Sequence, residues 1–230
     1  FFKIFKSMGL EKIHINVLDN NDNSTKSALF VAVGDNATLI SSSDGVTWTK
    51  RSIDIFSKNF SGVAYGNNIF VAIGDNGTIF SSSSGNTWTS RNSQTSNNLR
   101  GIVFGNNIFM AVGVSGTVVT SSDGIIWSER TSGFSQDVNA ITYGNNIFVL
   151  ACSAGYIYTS SNGSSWTSRS TSTAQDIQGV AYGNNTFVVV GNTGIILTSP
   201  NGTSWTSRTS GSSSSLRGVT YANSSFVVVG

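Results

Sequence analysis

Short hydrophobic runs alternate with short polar clusters along the whole chain, and the alternation repeats about every 39 residues. One unit, residues 99–130, contains four such runs, which we call strands a to d: Leu99–Phe104, Ile108–Val112, Thr117–Ser121 and Ile126–Arg130. Gly, Asn, Ser and Asp separate the runs, and Gly and Asn tolerate the positive φ that tight turns require. β-Branched and aromatic residues suit a pleated sheet, and no stretch has sustained helical periodicity. Each unit therefore predicts four short antiparallel strands.

Two further markers recur with the same period. A Tyr/Phe-Gly-Asn-Asn motif follows strand a in most units, and one tryptophan precedes or opens each strand d. A period near 40 with four strands per unit is typical of a β-propeller blade. Because a single four-stranded sheet cannot bury both faces, we expect the blades to pack around an axis with the tryptophans in the seams. These residues are Trp48, Trp88, Trp127, Trp166 and Trp205.

The predicted fold is all-β, a single propeller domain over residues 1–230 with six four-stranded antiparallel blades, or seven in a longer natural chain. The predicted blades are 12–51, 60–91, 99–130, 138–169 and 177–208, after an N-terminal segment of residues 1–11. Residues 215–230 supply only part of the last blade, and Phe1–Lys6 is a candidate strand for completing it. An incomplete blade has an open edge, which favours self-association by strand pairing.

Composition and charge exclude several partner classes. The net charge is only +2 and the arginines are spread about one per unit, so we expect no nucleic-acid binding. The longest apolar runs are too short for a membrane helix of about 20 residues. The chain has one cysteine and one histidine, so no disulfide, cofactor or metal site is predicted. Abundant small hydroxyl and amide side chains favour an extracellular, cell-surface or periplasmic protein.

The turns between strands c and d resemble a known repeat. Ser42–Trp48 and Ser121–Trp127 are similar to the Asp-box, or BNR, motif Ser-x-Asp-x-Gly-x-Thr-Trp, although each is one residue shorter. The wider unit resembles the BNR-type propellers of secreted proteins, of sialidases and of photosystem II assembly factors. The resemblance implies a propeller in which Asp44 and Asp123 bond the turn backbone and the tryptophan packs inward. Structural roles are therefore expected for these aspartates.

The loops at the other end of the blades vary between units. The a–b and c–d turns should share one face of the propeller, and the b–c turns and d–a linkers the other. Function on repeat scaffolds tends to reside in variable loops, so we expect a binding site on the second face, near the axis. The candidate residues are Arg100, Asn139, Gln178 and Arg217 at the start of strand a, and Asp75 and Asn192 in the b–c turns.

Acids in the d–a linkers, Asp137 and Asp176, add carboxylates to this predicted site. The arginine three residues after each tryptophan is uniform, and we expect it to link neighbouring blades as scaffold.

The predicted function is a non-catalytic module that binds a protein or a glycan. One alternative is a sialidase-like glycoside hydrolase, and another is a structural or assembly protein of a surface or virion complex. Glycoside hydrolysis requires a suitably placed carboxyl pair. The only glutamates are Glu11 and Glu129, and neither is predicted near the axis, so we expect no enzyme activity.

Overall fold

The computed structural model describes residues 16–17, 29–53 and 58–230. The candidate strand Phe1–Lys6 lies outside the described residues, as do residues 18–28. Described helical structure consists of single 3-10 turns between the second and third strands of four blades. These turns are Asp75–Gly77, Val114–Gly116, Ser153–Gly155 and Asn192–Gly194.

The described strands form five four-stranded antiparallel sheets, each in chain order, followed by one hairpin. Blade 1 consists of β1 (Asn16–Val17), β2 (Phe30–Gly34), β3 (Thr38–Ser42) and β4 (Thr49–Lys50). Blade 2 consists of β5 (Phe60–Gly66), β6 (Ile69–Gly74), β7 (Ile79–Ser82) and β8 (Thr89–Arg91). Blade 3 consists of β9 (Leu99–Gly105), β10 (Ile108–Gly113), β11 (Val118–Ser121) and β12 (Ser128–Arg130). Blade 4 consists of β13 (Val138–Gly144), β14 (Ile147–Cys152), β15 (Ile157–Ser160) and β16 (Thr167–Arg169). Blade 5 consists of β17 (Ile177–Gly183), β18 (Thr186–Gly191), β19 (Ile196–Ser199) and β20 (Thr206–Arg208). The last hairpin consists of β21 (Gly218–Ala222) and β22 (Ser225–Val229).

The blades are arranged as a β-propeller, as the sequence predicts. The first strands of successive blades pack against one another, β5 on β9, β9 on β13, β13 on β17 and β17 on β21, so these strands are innermost. Strand d of blade 3 begins at Ser128 rather than at the predicted Ile126. The reason is that the Asp123 carboxylate holds the backbone N–H groups of Ile125 and Ile126 in the preceding turn.

Hydrophobic side chains from two blades meet in each seam. Between blades 2 and 3, Val71 and Ile73 pack against Phe109, Ala111 and the buried Trp127. The alternation of a strand sends one set of side chains to each neighbouring blade, so the second strands are apolar on both faces. The seams from blade 1 to blade 5 contain, in order, Trp88, Trp127, Trp166 and Trp205.

Aromatic rings also cover glycines across the seams. The Tyr143 ring of blade 4 lies over Gly105 of blade 3, where an added Cβ would be 2.3 Å from Tyr143 Cγ. The Tyr/Phe-Gly pair of the repeated motif therefore matches a ring on one blade to a bare backbone on the preceding one. The other pairs are Gly66 with Phe104, Gly144 with Tyr182, and Gly183 with Tyr221.

The last hairpin differs from the complete blades in burial. Val227 is 50% exposed and Val229 is 46% exposed, whereas Val188 and Val190, their equivalents in blade 5, are buried. One face of the hairpin thus presents apolar strand positions to solvent. No helix in the described part of the chain is long and apolar enough to cross a membrane.

Candidate functional site

A β-bulge lies near the start of the innermost strand in blades 2 to 5. In blade 2, Phe60 pairs with Gly74 and Gly62 pairs with Ile73, so Ser61 between them has no partner of its own. A bulge redirects the side chain of the extra residue and is often found next to functional sites. The predicted axial candidates occupy this same backbone position. The bulged residues of blades 3, 4 and 5 are Arg100, Asn139 and Gln178.

Two of the bulged side chains donate hydrogen bonds to the backbone of the following blade. The Ser61 hydroxyl donates a hydrogen bond to the carbonyl of Leu99 in blade 3. Asn139 Nδ2 donates to the carbonyl of Ile177 in blade 5 at 2.9 Å. Each of these side chains therefore bonds the first strand of the following blade, which orients it across the inner end of a seam.

Arg100 joins Asn139 and Asp137 in one network. Its Nη1 donates to Asn139 Oδ1 at 2.7 Å, and its Nη2 is 3.1 Å from Asp137 Oδ2. The side chains of Arg100 and Asp137 are 35% and 39% exposed. An ion pair this accessible contributes only about 0–1 kcal/mol to stability. Its main consequence is that the guanidinium is held in one orientation while remaining open to solvent.

Asp137 has a second, structural role. Its Oδ1 accepts a hydrogen bond from the backbone N–H of Ser115 in the preceding blade at 2.8 Å. Asp176 does the same for Ala154. Ser115 and Ala154 have positive φ, of 54° and 53°, which non-glycine residues rarely adopt. The predicted linker acids therefore hold strained turns in place.

We call this bond, from a linker side chain to a turn N–H of the preceding blade, a latch, and two asparagines that the sequence reasoning missed form it as well. In blades 2 and 3 the latch residues are Asn59 and Asn98, whose Oδ1 atoms accept from the N–H groups of Asn36 and Asn76. The available signal was the recurrence of Asn or Asp every 39 residues, immediately before strand a.

The remaining candidates lie outside the Arg100 network. Gln178 Nε2 donates to Asn192 Oδ1 at 3.4 Å within blade 5. Asp75 Oδ2 accepts from the backbone N–H of Asn59 at 3.3 Å. Arg217 is exposed, and its guanidinium makes no hydrogen bond to another described residue; only its backbone N–H bonds, to the Val229 carbonyl. The structure thus groups some of the predicted residues and leaves Asp75 and Arg217 apart.

The turns between strands c and d, on the opposite face, repeat one hydrogen-bond pattern. Ser42 Oγ accepts from the N–H of Gly45, and Asp44 Oδ1 accepts from those of Val46 and Thr47 at 2.7 Å. The bonds from Thr47, Val46 and Ser42 lower the pKa of Asp44 from 3.8 to about 2. Asp123 has the same bonds from Ile126 and Ile125, and its pKa is also lowered.

Asparagine replaces the aspartate in blades 4 and 5 without changing the pattern. Asn162 Oδ1 accepts from the N–H groups of Ser164 and Ser165, and Asn201 Oδ1 accepts from the corresponding groups of its own turn. Trp88 and Trp205 complete their turns with Nε1 bonds to the carbonyls of Gly85 and Gly202. These turns are framework, since an oxygen acceptor is all that they require.

The Asp44 turn predicts a specific pH dependence. A folded-state pKa below the unfolded value means that the ionised carboxylate stabilises the fold above about pH 4, and that this contribution disappears as the pH falls towards 2. Asp44→Asn keeps the acceptor but does not titrate, so the variant should lose less stability than wild type between pH 4 and 2. Thermal melts across this range measure the difference. Asn162→Asp is the matched control and should steepen the loss; parallel curves for all three proteins would contradict the assignment.

The uniform arginines act within blades. Arg91 Nε donates to Ser81 Oγ at 2.7 Å, and Arg169 Nε donates to Thr159 Oγ1 at 2.7 Å. Both bonds join strand d to strand c of the same sheet, so these arginines have the expected scaffold role through bonds within a blade and not between blades. Strand d is short and outermost, so its arginine side chain bonds strand c of its own sheet.

Other potentially reactive side chains do not contribute to the axial site. Glu129 is exposed on β12, the outermost strand of blade 3. Cys152 is fully buried, and burial, with a smaller effect of Asp137, raises the pKa of its thiol far above its usual value. The described residues contain no group of three or more His, Cys, Asp or Glu side chains that could hold a metal ion.

Comparisons with known proteins identify the fold. The sequence matches no family model and no curated protein. Among solved structures, YCF48 bound to D1 peptide is similar with a TM-score of 0.64 and 18% identity, over 86% of this chain and 70% of that one. YCF48 from Cyanidioschyzon merolae gives a TM-score of 0.55 and 15% identity, over 93% and 95% of the two chains. An ancestral GH74 enzyme gives 0.69 and 16%, over 90% of this chain and 32% of its own length. At such identities the likeness establishes a β-propeller and leaves the function open.

Proposed function

We propose that the protein is a non-catalytic propeller module that binds a polypeptide partner at the axial mouth. The observation that supports this proposal is the contrast between the two ends of the blades. The c–d turns repeat one bonding pattern, whereas the bulged axial position changes from serine to arginine, asparagine and glutamine around the ring. A framework position would repeat, so variation at a redirected side chain favours recognition.

The Arg100 network is suited to a polar partner. Asn139 and Asp137 fix the guanidinium before a ligand arrives, which reduces the ordering cost of binding. Arg217, immediately before β21 of the last hairpin, supplies a second guanidinium that bonds no other described residue, and arginine binds carboxylates and carbonyl oxygens through paired donors. A polypeptide offers both groups. The similarity to a propeller recorded with a bound peptide supports this class of partner.

The proposal of a non-catalytic role is supported by how the acids of this face are used. Asp137 and Asp176 accept bonds from strained turns, and Asp75 bonds the backbone of Asn59. Carboxylates engaged in this way are poorly placed as a general acid and base. We also propose that the c–d turns are BNR-type Asp-boxes, because Ser42 and Asp44 bond the turn as that motif implies. An extracellular, cell-surface or periplasmic location remains part of the proposal.

Binding to a peptide array by wild type and three single variants tests the site. Arg100→Ala and Arg217→Ala should each weaken binding to the peptides that wild type selects by about tenfold or more. Arg208→Ala is the matched control, because its guanidinium bonds Thr198 on the outer strands, and it should leave binding unchanged. Unaltered binding by both axial variants would place the site elsewhere. Arginine-dependent signals on a parallel glycan array, with none on peptides, would overturn the polypeptide class.

A further inference from the structure

A second recognition site is suggested by residues that break the repeat where blades 3 and 4 meet. Phe134, in the linker between these blades, occupies a position held by Thr95 and Thr173 in two other linkers. Glu129, on the last strand of blade 3, stands where blades 2, 4 and 5 have serine. Tyr156, after the b–c turn of blade 4, stands where blades 2 and 3 have threonine. Phe134 and Glu129 border the same cavity, and Phe134 and Tyr156 both stack with Tyr158, although these residues come from separate parts of two repeats.

Phe134, Tyr158 and Tyr156 form a stack of aromatic rings. The centroids of Phe134 and Tyr158 are 4.1 Å apart with an interplanar angle of 14°, and those of Tyr158 and Tyr156 are 6.0 Å apart with an angle of 7°. Tyr156, at the outer end, is 40% exposed. Among the described residues, Tyr156 is the one aromatic side chain that is exposed to this extent.

The stack is held rigidly. The Tyr158 hydroxyl donates to Gln136 Oε1 at 2.8 Å, and the Gln136 carbonyl accepts from the N–H of Gly116. The Phe134 carbonyl accepts from Ser132 Oγ at 3.1 Å, and Trp166 packs edge-on against the Phe134 ring. The linker therefore keeps its phenyl ring in place without a ligand, as a preformed binding surface requires.

An open cavity of about 610 Å³ adjoins Phe134. Its size falls in the range of about 300–1,000 Å³ that is usual for small-ligand sites. Apart from the phenyl ring, most of the lining is hydroxyl, amide or charged. The main lining residues are Ser115, Thr117, Glu129, Arg130, Ser132 and Phe134.

We propose that this cavity binds a carbohydrate, with a pyranose ring packed on Phe134, the one aromatic side chain of the lining. The C–H groups of a pyranose carry partial positive charge and pack on the negative face of an aromatic ring. Its hydroxyl groups both donate and accept, and the cavity supplies both kinds of partner. Glu129 accepts only, Arg130 donates only, and the serine and threonine hydroxyls do either.

The shape and charge of the cavity favour a sugar over the other ligand classes. An apolar small molecule would leave the many polar groups of the lining without partners, which is costly. A polyanion would meet the Glu129 carboxylate, and Arg130 offers only its Nη donors, because its Nε bonds Thr120 Oγ1 at 2.8 Å. A neutral or amino sugar meets neither obstacle. The site is separate from the axial mouth, and the two proposals stand independently.

Variants that restore the residue found in other units test the carbohydrate proposal. Phe134→Thr and Glu129→Ser introduce residues that other units carry at the equivalent positions, so both variants should fold. Full-length wild type and the two variants are applied to a glycan array that includes neutral, amino and sialylated sugars, and the selected glycans are titrated by calorimetry. Phe134→Thr should weaken binding by at least tenfold, and Glu129→Ser should weaken it measurably.

Thr173→Ala, in the next linker, is the matched control and should bind as wild type does. Arg100→Ala should also leave glycan binding intact, which separates this site from the axial one. Wild-type affinity in both repeat-restoring variants would overturn the proposal, as would the absence of any array signal for the wild-type protein. Circular dichroism melts confirm that each variant is folded.

Discussion

Gly105→Ala is expected to destabilise the propeller by about 3 kcal/mol, because the new methyl group would overlap the Tyr143 ring of the next blade. The ring lies in a seam between two sheets and is backed by Phe148, with their centroids 4.7 Å apart. It therefore cannot move aside without disturbing the core of blade 4. The loss should appear as a lower urea midpoint with an unchanged slope.

Two further variants separate a steric cause from a conformational one. Gly218→Ala is the control, since an added Cβ there meets only Val229, and Ala140 already occupies the equivalent position in blade 4. Tyr143→Ala removes the obstructing ring, so adding Gly105→Ala to it should cost much less than in wild type. Equal costs in both backgrounds would show that the glycine is needed for the turn itself.

The last hairpin offers a natural version of the same experiment. Ala222 occupies the position of Gly105 and its equivalents, and it is exposed. The two turn residues that follow, Asn223 and Ser224, have the same positive φ as the Asn-Asn pairs of the other blades. A tight turn of this kind therefore accepts alanine. In the other blades glycine is needed at this position because an aromatic ring covers it.

Local sequence patterns were sufficient for the blades themselves. The Asn-Asn pairs predict tight hairpins, and Asn106 and Asn107 indeed have φ of 49° and 58°. The repeat occurs five times, and each copy shows the same pattern independently. This agreement is enough to predict the number and order of the strands and the position of the tryptophans.

The features that the sequence did not predict depend on contacts between units. The bulge at Arg100 arises from a two-to-one pairing with β10, and a run of hydrophobic residues does not specify that register. The latch from Asp137 to Ser115 joins two blades through a side chain and a backbone N–H. From the sequence alone, such a linker acid cannot be distinguished from a carboxylate available to a ligand, because the turn that it bonds belongs to the preceding blade.

Positions that recur in every unit have framework roles in this molecule. Trp127 and the arginines after each tryptophan recur in all five blades and make contacts inside the scaffold. The position of Asp44 recurs as an oxygen acceptor, held by aspartate, asparagine or serine. The axial residues vary at a fixed backbone position, and the cavity beside Phe134 is bordered by two side chains that break the repeat, Phe134 and Glu129. The proposed binding sites are built on positions that keep one backbone conformation and vary in side chain from unit to unit.

Phe148→Ala should have the largest effect of any substitution considered, about 4 kcal/mol, within the usual range for deleting a fully buried phenyl ring. Phe148 lies in the seam between blades 3 and 4 and packs with Met110 and Leu150 in one cluster. Two rigid sheets border the ring, so the cavity left by alanine cannot collapse easily. Urea denaturation with a tryptophan fluorescence readout measures the change.

Phe226→Ala in the last hairpin is the matched comparison. Phe226 has the same repeat position and the same cross-strand tyrosine partner, with centroids 4.8 Å apart from Tyr221, but it is only half-buried. Since the phenyl ring and its nearest neighbour are the same in both, the difference in cost measures what a complete seam adds. We expect Phe226→Ala to cost less than half as much as Phe148→Ala. Similar values would mean that the cross-strand aromatic pair, and not packing between blades, is the main source of stability.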